Sequence, residues 1–272
     1  MPPVLAAVRI VLESALYRIK RREANNLLTS ISLMLAFRLP WDDVLYRSIF
    51  AAVLNVYVYL INDYCDIDRD LASPQKDHRK ARFMAKHRGA VVGALVGLAA
   101  LLVAAALNHS HLLLLAFAAN TVVVYSYSAW FKRMPVADVL IMSVCGVTIS
   151  LVGLPEGNPF GWKMVGLLGF ICASFEVIQV IRDEPGDRRS GVNTTAVLLG
   201  ARPSAWIFRA IVLGSAAYGV LVIGSYLPLA LLPALFFPLT PEAASRSWDW
   251  CRVLFGGVWG GLLLQVWLGY LP

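Results

Sequence analysis

The sequence predicts an all-α fold, a polytopic membrane helix bundle with about nine transmembrane helices. Of its 272 residues 58% are apolar and 15% are charged, whereas about 25% are charged in an ordinary soluble domain. The mean hydropathy is +0.66. These values exclude a disordered chain and argue against a water-soluble globule. Because a bilayer-spanning helix needs about 20 apolar residues, the chain has room for nine spans and their loops.

The apolar runs fix where these spans fall along the chain. Gly89, Gly93 and Gly97 recur at every fourth position of the third span, a spacing that predicts close helix packing. The eighth span is short, and three prolines make it irregular. The predicted spans are 24–40, 43–62, 89–107, 111–131, 135–155, 161–182, 204–224, 226–240 and 248–270.

The basic residues predict the orientation of the bundle. With the N-terminus cytoplasmic, 21 of the 24 Lys and Arg residues fall on the cytoplasmic side, and Arg38, Arg47 and Lys163 do not. Such an excess is typical of cytoplasmic loops. We therefore assign the basic pI to membrane orientation and expect no nucleic-acid partner. The expected location is a membrane, the cytoplasmic one if the source is bacterial, with membrane lipids around the bundle.

The sequence predicts two regions in the chain. Residues 1–23 contain an apolar stretch interrupted by Arg9 and Glu13, which predicts an amphipathic helix on the cytoplasmic surface rather than a signal peptide. Residues 24–272 form a single transmembrane domain, with motif-bearing loops at 62–88 and 182–202. The four cysteines show neither a Cys-x-x-Cys pair nor a zinc-site pattern, so we interpret them as reduced.

Acidic residues are concentrated in two short windows. Seven of the 17 lie in 62–70 or 182–187, at the cytoplasmic ends of the second and sixth spans. On a helix, residues four apart share a face, which aligns Asn62, Asp66 and Asp70. Carboxylates at a membrane edge are costly and usually functional. The first window therefore predicts one row of oxygen ligands.

The second window offers a matching pair of carboxylates. Asp183 and Asp187 would share a face if the helix continued past Pro185. Mg²⁺ binds through one or two carboxylates together with waters and phosphate oxygens. Two acidic helix ends that face each other would thus bind Mg²⁺ and a diphosphate.

Basic and aromatic side chains flank both windows. Lys132 ends the fourth span, Arg182 opens the second window, and either could donate to phosphate oxygens or simply reflect the positive-inside rule. Tyr127 is one of several aromatic residues near the same depth. They form either an interfacial aromatic belt or a pocket whose ring faces stabilise a carbocation.

Together these motifs resemble those of the UbiA family of intramembrane prenyltransferases, a superfamily that includes membrane terpene cyclases. The matching segments are NDYCDIDRD from Asn62, then Pro74, Lys76 and Arg79, then Tyr127-Ser128 with Lys132-Arg133, and the run from Glu176 to Gly200. The resemblance extends from about residue 24 to the C-terminal end. Two acidic motifs at this separation make it specific.

The resemblance implies a fold and a set of site residues. The fold is nine helices around a central cavity, and the activity is Mg²⁺-dependent ionisation of an isoprenyl diphosphate. The implied metal ligands are Asn62, Asp66, Asp70, Asp183 and Asp187. The implied diphosphate-binding residues are Lys76, Arg79, Lys132 and Arg182. Tyr127 would orient the diphosphate or cover the cation.

The sequence leaves open how the prenyl cation reacts. The first hypothesis is prenyl transfer to an aromatic or lipid-like acceptor, and the second is intramolecular cyclisation. The family's usual Asp, Arg and Pro are replaced here by Val180, Phe175 and Lys80, which alters the pattern on the acceptor side. A third hypothesis, a transporter, is disfavoured because transporters place such groups near the midplane on broken helices.

Substitution of the acidic residues tests the metal assignment. We expect Asp66→Ala or Asp187→Ala to abolish diphosphate release in a folded protein, because each removes a metal ligand. Asp77→Ala, outside both rows, should matter little. The measurement is pyrophosphate released per purified protein, and wild-type turnover in both variants would refute the assignment.

Overall fold

The computed structural model describes residues 2–20, 25–72 and 78–272, and the regular elements in these ranges are all helical. The α-helices are α1 (Pro3–Lys20), α2 (Asn25–Ala36), α3 (Trp41–Ala72), α4 (His78–Lys86), α5 (Arg88–Leu107), α6 (His111–Ala129), α7 (Ala137–Ser150), α8 (Pro159–Arg189), α9 (Thr195–Leu199), α10 (Ala201–Tyr218) and α11 (Ala244–Trp267). A π turn over Gly219–Ile223 extends α10, and a 3₁₀ helix covers Leu227–Phe236.

The helices confirm the predicted class, an all-α membrane bundle. Five are long and apolar enough to cross a bilayer: α3, α5, α6 with its following turn, α8, and α10 with its π turn. The shorter apolar helices are Leu27–Ala36, Ala137–Gly153 and Leu227–Phe236. The count of nine spans stays a prediction. The irregular eighth span is a 3₁₀ helix with Pro233 inside it, because proline removes an α-helical hydrogen bond.

Large apolar side chains cover the outside of the bundle. Leu101, Val122, Leu213 and Val253 are exposed, and Leu221 is 82% exposed. Exposed apolar surface of this extent is typical of a membrane-embedded protein, whose outer face contacts lipid. The chain is therefore a multi-pass membrane protein.

The helix α1 packs along the bundle through one narrow stripe. Ala6 and Ile10 are buried, Val8 and Leu12 are exposed, and α1 packs against α5 and α3. The Arg9 guanidinium lies 4.4 Å from the Phe83 ring, which joins α1 to α4. The predicted helix within 1–23 is thus present over its described part. Its cytoplasmic surface location stays a prediction.

Helix contacts bring the acidic motifs to one end of the bundle. Helix α3 packs against α6, α6 packs against α7, and α7 packs against α8. Helices α6 and α7 therefore lie between the two motif helices. At the other end Arg47 donates to the carbonyl oxygens of Val152 and Leu154 at 3.2 and 3.1 Å. This contact joins the start of α3 to the turn before α8.

The motif segments differ from the loops that the sequence predicted at 62–88 and 182–202. The first is helical through Ala72 and again over α4, and the second is helical through Arg189. Pro185 lies inside α8, close to its C-terminal end. There the loss of one N–H leaves the Ile181 carbonyl without its partner near the wet end of the helix, where water can solvate it.

Asp138 fastens α7 to α9 beside the second motif. It is 1% exposed, and its carboxylate accepts from the backbone N–H of Thr195 at 2.8 Å and of Val139 at 2.9 Å. The Thr195 hydroxyl also donates to it. Asp138 thus holds the start of the short helix α9.

The predicted close packing of the glycines on α5 is wrong. Among the described residues, no atom lies within 4 Å of a Cβ added at Gly89, Gly93 or Gly97. Gly146 on α7 does make a close helix contact, since an added Cβ would lie 2.7 Å from the Leu168 carbonyl oxygen and 2.6 Å from Cys172 Sγ. Small residues permit close approach, but spacing alone does not show which face of the helix is buried.

Alanine at Gly146 should destabilise the bundle. The added methyl group meets the α8 backbone, so we expect a loss of about 1–3 kcal/mol in the free energy of unfolding. The matched control Gly93→Ala has open space and should be neutral or slightly stabilising. Thermal unfolding in detergent compares the two variants, and equal stability would contradict the packing.

Candidate active site

The first acidic motif lies on one continuous helix, α3. Asn62, Asp66 and Asp70 follow at four-residue intervals within α3, so their side chains share a face. Asp66 is 3% exposed. Hydrophobic neighbours at Ile61 and Ile67 are buried as well. Asn62 and Asp70 are half-buried, so the buried Asp66 lies between two more accessible members of the row.

Asp66 is neutralised by basic side chains. Lys132, in the turn after α6, donates from Nζ to Asp66 Oδ2 at 2.7 Å. The Arg69 guanidinium lies 3.0 Å from Asp66 Oδ1, but Oδ1 makes no hydrogen bond within the described part of the chain. A buried carboxylate oxygen with an unused acceptor position fits a cation ligand. The donor set, carboxylate and amide oxygens, is also the set that Mg²⁺ prefers.

Asn62 is positioned by α6. The Ser128 hydroxyl donates to Asn62 Oδ1 at 3.0 Å, and Ser128 is buried. This hydrogen bond connects the middle of α3 to the residue that follows Tyr127. It fixes the amide so that its oxygen faces α6.

The second acidic motif lies at the end of α8. Because the helix continues through Pro185, Asp183 and Asp187 share a face, as the four-residue spacing requires. Arg182 donates to both oxygens of Asp183, at 2.8 and 3.0 Å. The Arg182 guanidinium also lies 5.7 Å from the Trp248 ring of α11. Asp183 is half-exposed, unlike the buried Asp66.

Tyr127 and Glu176 bridge the space between the motif helices. The Tyr127 hydroxyl donates to Glu176 Oε1 at 3.2 Å, which joins α6 to α8. Lys132 Nζ lies 5.9 Å from the Tyr127 ring while it binds Asp66. Hydrogen bonds thus join Asp66 to Lys132 and Tyr127 to Glu176, and the Lys132 ammonium lies near the Tyr127 ring between these two pairs.

The structure brings together only part of the predicted site. Among the described residues, no three His, Cys, Asp or Glu side chains cluster as a metal-binding group. Such a cluster is not required, since Mg²⁺ takes one or two carboxylates plus waters and phosphate. Arg79 is exposed on α4, and Lys76 lies outside the described residues.

Two site residues were missed by the sequence reasoning. Glu176 is 4% exposed in the middle of a membrane-spanning helix, and a carboxylate at that depth is itself a functional signal. Ser128 carried no such signal, because a serine near a helix end is common. Its role depends on which residue of α3 it faces.

Comparisons with known proteins agree with this geometry. A family model described as the UbiA prenyltransferase family matches residues 26–252. The lycopene elongase/hydratase of Halobacterium salinarum is 30% identical over 80% of this chain and 84% of that protein. The digeranylgeranylglyceryl phosphate synthase of Natronomonas pharaonis is 30% identical over 63% of this chain and 60% of that protein.

Solved structures share the fold. One, of digeranylgeranylglyceryl phosphate synthase, has a TM-score of 0.67 at 15% identity and covers 96% of this chain and 99% of that one. A UbiA homologue from Archaeoglobus fulgidus, bound to GPP and Mg²⁺, has a TM-score of 0.65 at 14% identity and covers 95% and 99% of the two chains.

Removal of the Lys132 ammonium tests whether a cation can replace it at Asp66. We expect Lys132→Met to lower the free energy of unfolding by about 1–3 kcal/mol, because a buried charged acceptor loses its donor. Millimolar Mg²⁺ should raise the melting temperature of this variant more than that of the wild type. The measurement is thermal unfolding in detergent with and without Mg²⁺.

The control for this prediction is Lys163→Met, an exposed lysine at the opposite end of α8. Its melting temperature should respond to Mg²⁺ as the wild type does. A Lys132→Met variant that is no more sensitive to Mg²⁺ than this control would contradict a shared site for the ammonium and the metal.

Proposed function

The chain belongs to the UbiA prenyltransferase family, and from this we propose that it is a Mg²⁺-dependent prenyltransferase acting within the membrane. It ionises an isoprenyl diphosphate and transfers the prenyl group to a lipid-like acceptor. The observation that carries the proposal is the polar network from Asp66 through Lys132 and Tyr127 to Glu176, which connects the two acidic helices.

The donor diphosphate binds between the ends of α3 and α8. Its metal ions are held by the oxygen ligands Asn62, Asp66, Asp70, Asp183 and Asp187. When bound, Mg²⁺ neutralises the negative charge that develops on the departing diphosphate. The solved UbiA homologue from Archaeoglobus fulgidus, which is bound to GPP and Mg²⁺, supports this choice of ligand class.

Lys132 and Arg182 exchange partners when the donor binds. Both now bind carboxylates, Lys132 at Asp66 and Arg182 at Asp183. With Mg²⁺ held by those carboxylates, Lys132 and Arg182 would be available to donate to phosphate oxygens. Such charge-assisted hydrogen bonds are stronger than neutral ones. Arg79 and Lys76 add to this phosphate-binding set.

The prenyl cation needs a site that excludes water and tolerates positive charge. The Tyr127 ring already has a cation near it, Lys132 Nζ at 5.9 Å. Ring faces attract cations electrostatically, most strongly in a desolvated site. Burial in the membrane bundle keeps water from quenching the cation and accommodates the isoprenoid tail.

Apolar packing around Phe175 favours a lipid-like acceptor. Where many family members have Arg, Phe175 packs against the rings of Trp248 and Phe255, with centroids 4.8 and 5.8 Å away. An aromatic cluster offers an apolar surface to the hydrocarbon part of an acceptor. The names of the relatives, lycopene elongase/hydratase and digeranylgeranylglyceryl phosphate synthase, agree with a lipid-like acceptor.

The same ring cluster keeps a terpene cyclase as the second candidate. Rings that line a cavity also stabilise the successive cations of an intramolecular cyclisation. In that reaction the product forms from the isoprenyl diphosphate alone. The two candidates therefore differ in their need for an acceptor.

The active site faces the cytoplasm in this proposal. The motif ends of α3, α6 and α8 lie at one end of the bundle, and 21 of the 24 basic residues were assigned to that side. The positive-inside rule places such an end in the cytoplasm.

Product analysis tests the proposal. We expect purified protein with Mg²⁺ and geranylgeranyl diphosphate to release pyrophosphate and to prenylate lycopene or geranylgeranylglyceryl phosphate when either is added. Chelation by EDTA should abolish release. A cyclic hydrocarbon or alcohol formed without acceptor would replace the transferase with the cyclase, and ion flux without diphosphate release would contradict both.

A further inference from the structure

Glu176 is a buried acidic group that is not among the proposed metal ligands. It lies seven residues before Asp183 on α8, hence about 10 Å deeper along the helix axis. With the diphosphate at the end of α8, as proposed above, Glu176 lies deeper in the bundle than the proposed metal ligands of that helix. A buried carboxylate requires a partner in place of water.

The partner of Glu176 is the hydroxyl of Tyr127, at 3.2 Å. Glu176 also interacts electrostatically with Asp138, Lys132 and Asp183. Of these three groups only Lys132 is basic, and it is hydrogen-bonded to Asp66. The thiols of Cys145 and Cys172 lie close by as well. Around Glu176 the negative and neutral groups therefore outnumber the positive ones.

We propose that Tyr127 and Glu176 form the proton relay of the transfer step, which rests on the proposed function. The C1–O bond of the donor breaks and its electron pair stays on the diphosphate. A new bond forms between C1 and the acceptor, which loses one hydrogen as a proton. That proton passes to the Tyr127 oxygen, and the phenolic proton passes to the Glu176 carboxylate, so the charges balance.

The leaving diphosphate is poorly suited to take this proton. Its oxygens are bound by metal and by basic side chains, which lowers their basicity, and it departs from the opposite face of C1. Proton acceptance by a positioned side chain contributes typically about 10²–10⁴-fold to a rate. The relay therefore accounts for a carboxylate that would otherwise only cost stability at this depth.

The test is the partition of products in Glu176→Gln. Glutamine keeps the volume and can still accept from Tyr127 through its amide oxygen, but it cannot take up the proton. With Mg²⁺, geranylgeranyl diphosphate and the acceptor that the wild type uses, we expect pyrophosphate release within about threefold of wild type. The ratio of transfer product to water-quenched geranylgeraniol should fall about 100-fold, the middle of the range for acid–base catalysis.

A second variant and a control complete the design. Tyr127→Phe removes the relay hydroxyl without touching the carboxylate and should shift the product ratio in the same direction, which keeps the test open if Glu176→Gln folds poorly. Glu13→Gln, in which the carboxylate that pairs with Arg9 on α1 becomes an amide, should behave as wild type.

The outcomes of these experiments distinguish a failure of the relay from a failure of the proposed function. An unchanged product ratio in Glu176→Gln overturns the relay and leaves a purely structural pair. Loss of both release and transfer in a folded variant also overturns it, since Glu176 would then act in ionisation. A wild type that releases no pyrophosphate contradicts the proposed function itself, whatever the variants do.

Discussion

A carboxylate buried in a membrane bundle must be neutralised, and the rest of this site depends on how Asp66 meets that constraint. The ion pair with Lys132 at 2.7 Å supplies the positive charge and joins α3 to the turn after α6. Without a cation at this position the buried charge would be uncompensated. At the half-exposed second motif, Arg182 pairs with Asp183 in the same way. In the proposed site Mg²⁺ would replace these counter-ions at the carboxylates, and the basic side chains would bind the diphosphate.

Helix packing fixes where these charged and polar groups lie relative to one another. α6 and α7 lie between the motif helices, and Tyr127 spans the gap to Glu176. The persistence of α8 through Pro185 gives Asp183 and Asp187 a common face. Asp138 holds α9 against the start of α7, which anchors the loop after the second motif. Rigid helices thus carry the polar groups at fixed depths.

Patterns with a clear physical period were predicted well from the sequence. The apolar runs correspond to the observed helices, and the four-residue spacing of Asn62, Asp66 and Asp70 holds because α3 continues to Ala72. Features that depend on tertiary contacts were not predictable. The sequence alone does not distinguish the glycines of α5, which have open space beside them, from Gly146, which makes a close helix contact. Ser128 was identified only by its hydrogen bond to Asn62.

The central claim is that the ends of α3 and α8 share one metal-bound diphosphate. A structure of the protein with Mg²⁺ and the unreactive analogue geranylgeranyl S-thiolodiphosphate tests it most directly. We expect Mg²⁺–oxygen distances of about 2.0–2.1 Å for the Asp66 carboxylate and for that of Asp183 or Asp187. The ions that these carboxylates bind should contact the same diphosphate. A diphosphate bound through only one of these helices, or outside the space between them, would contradict it.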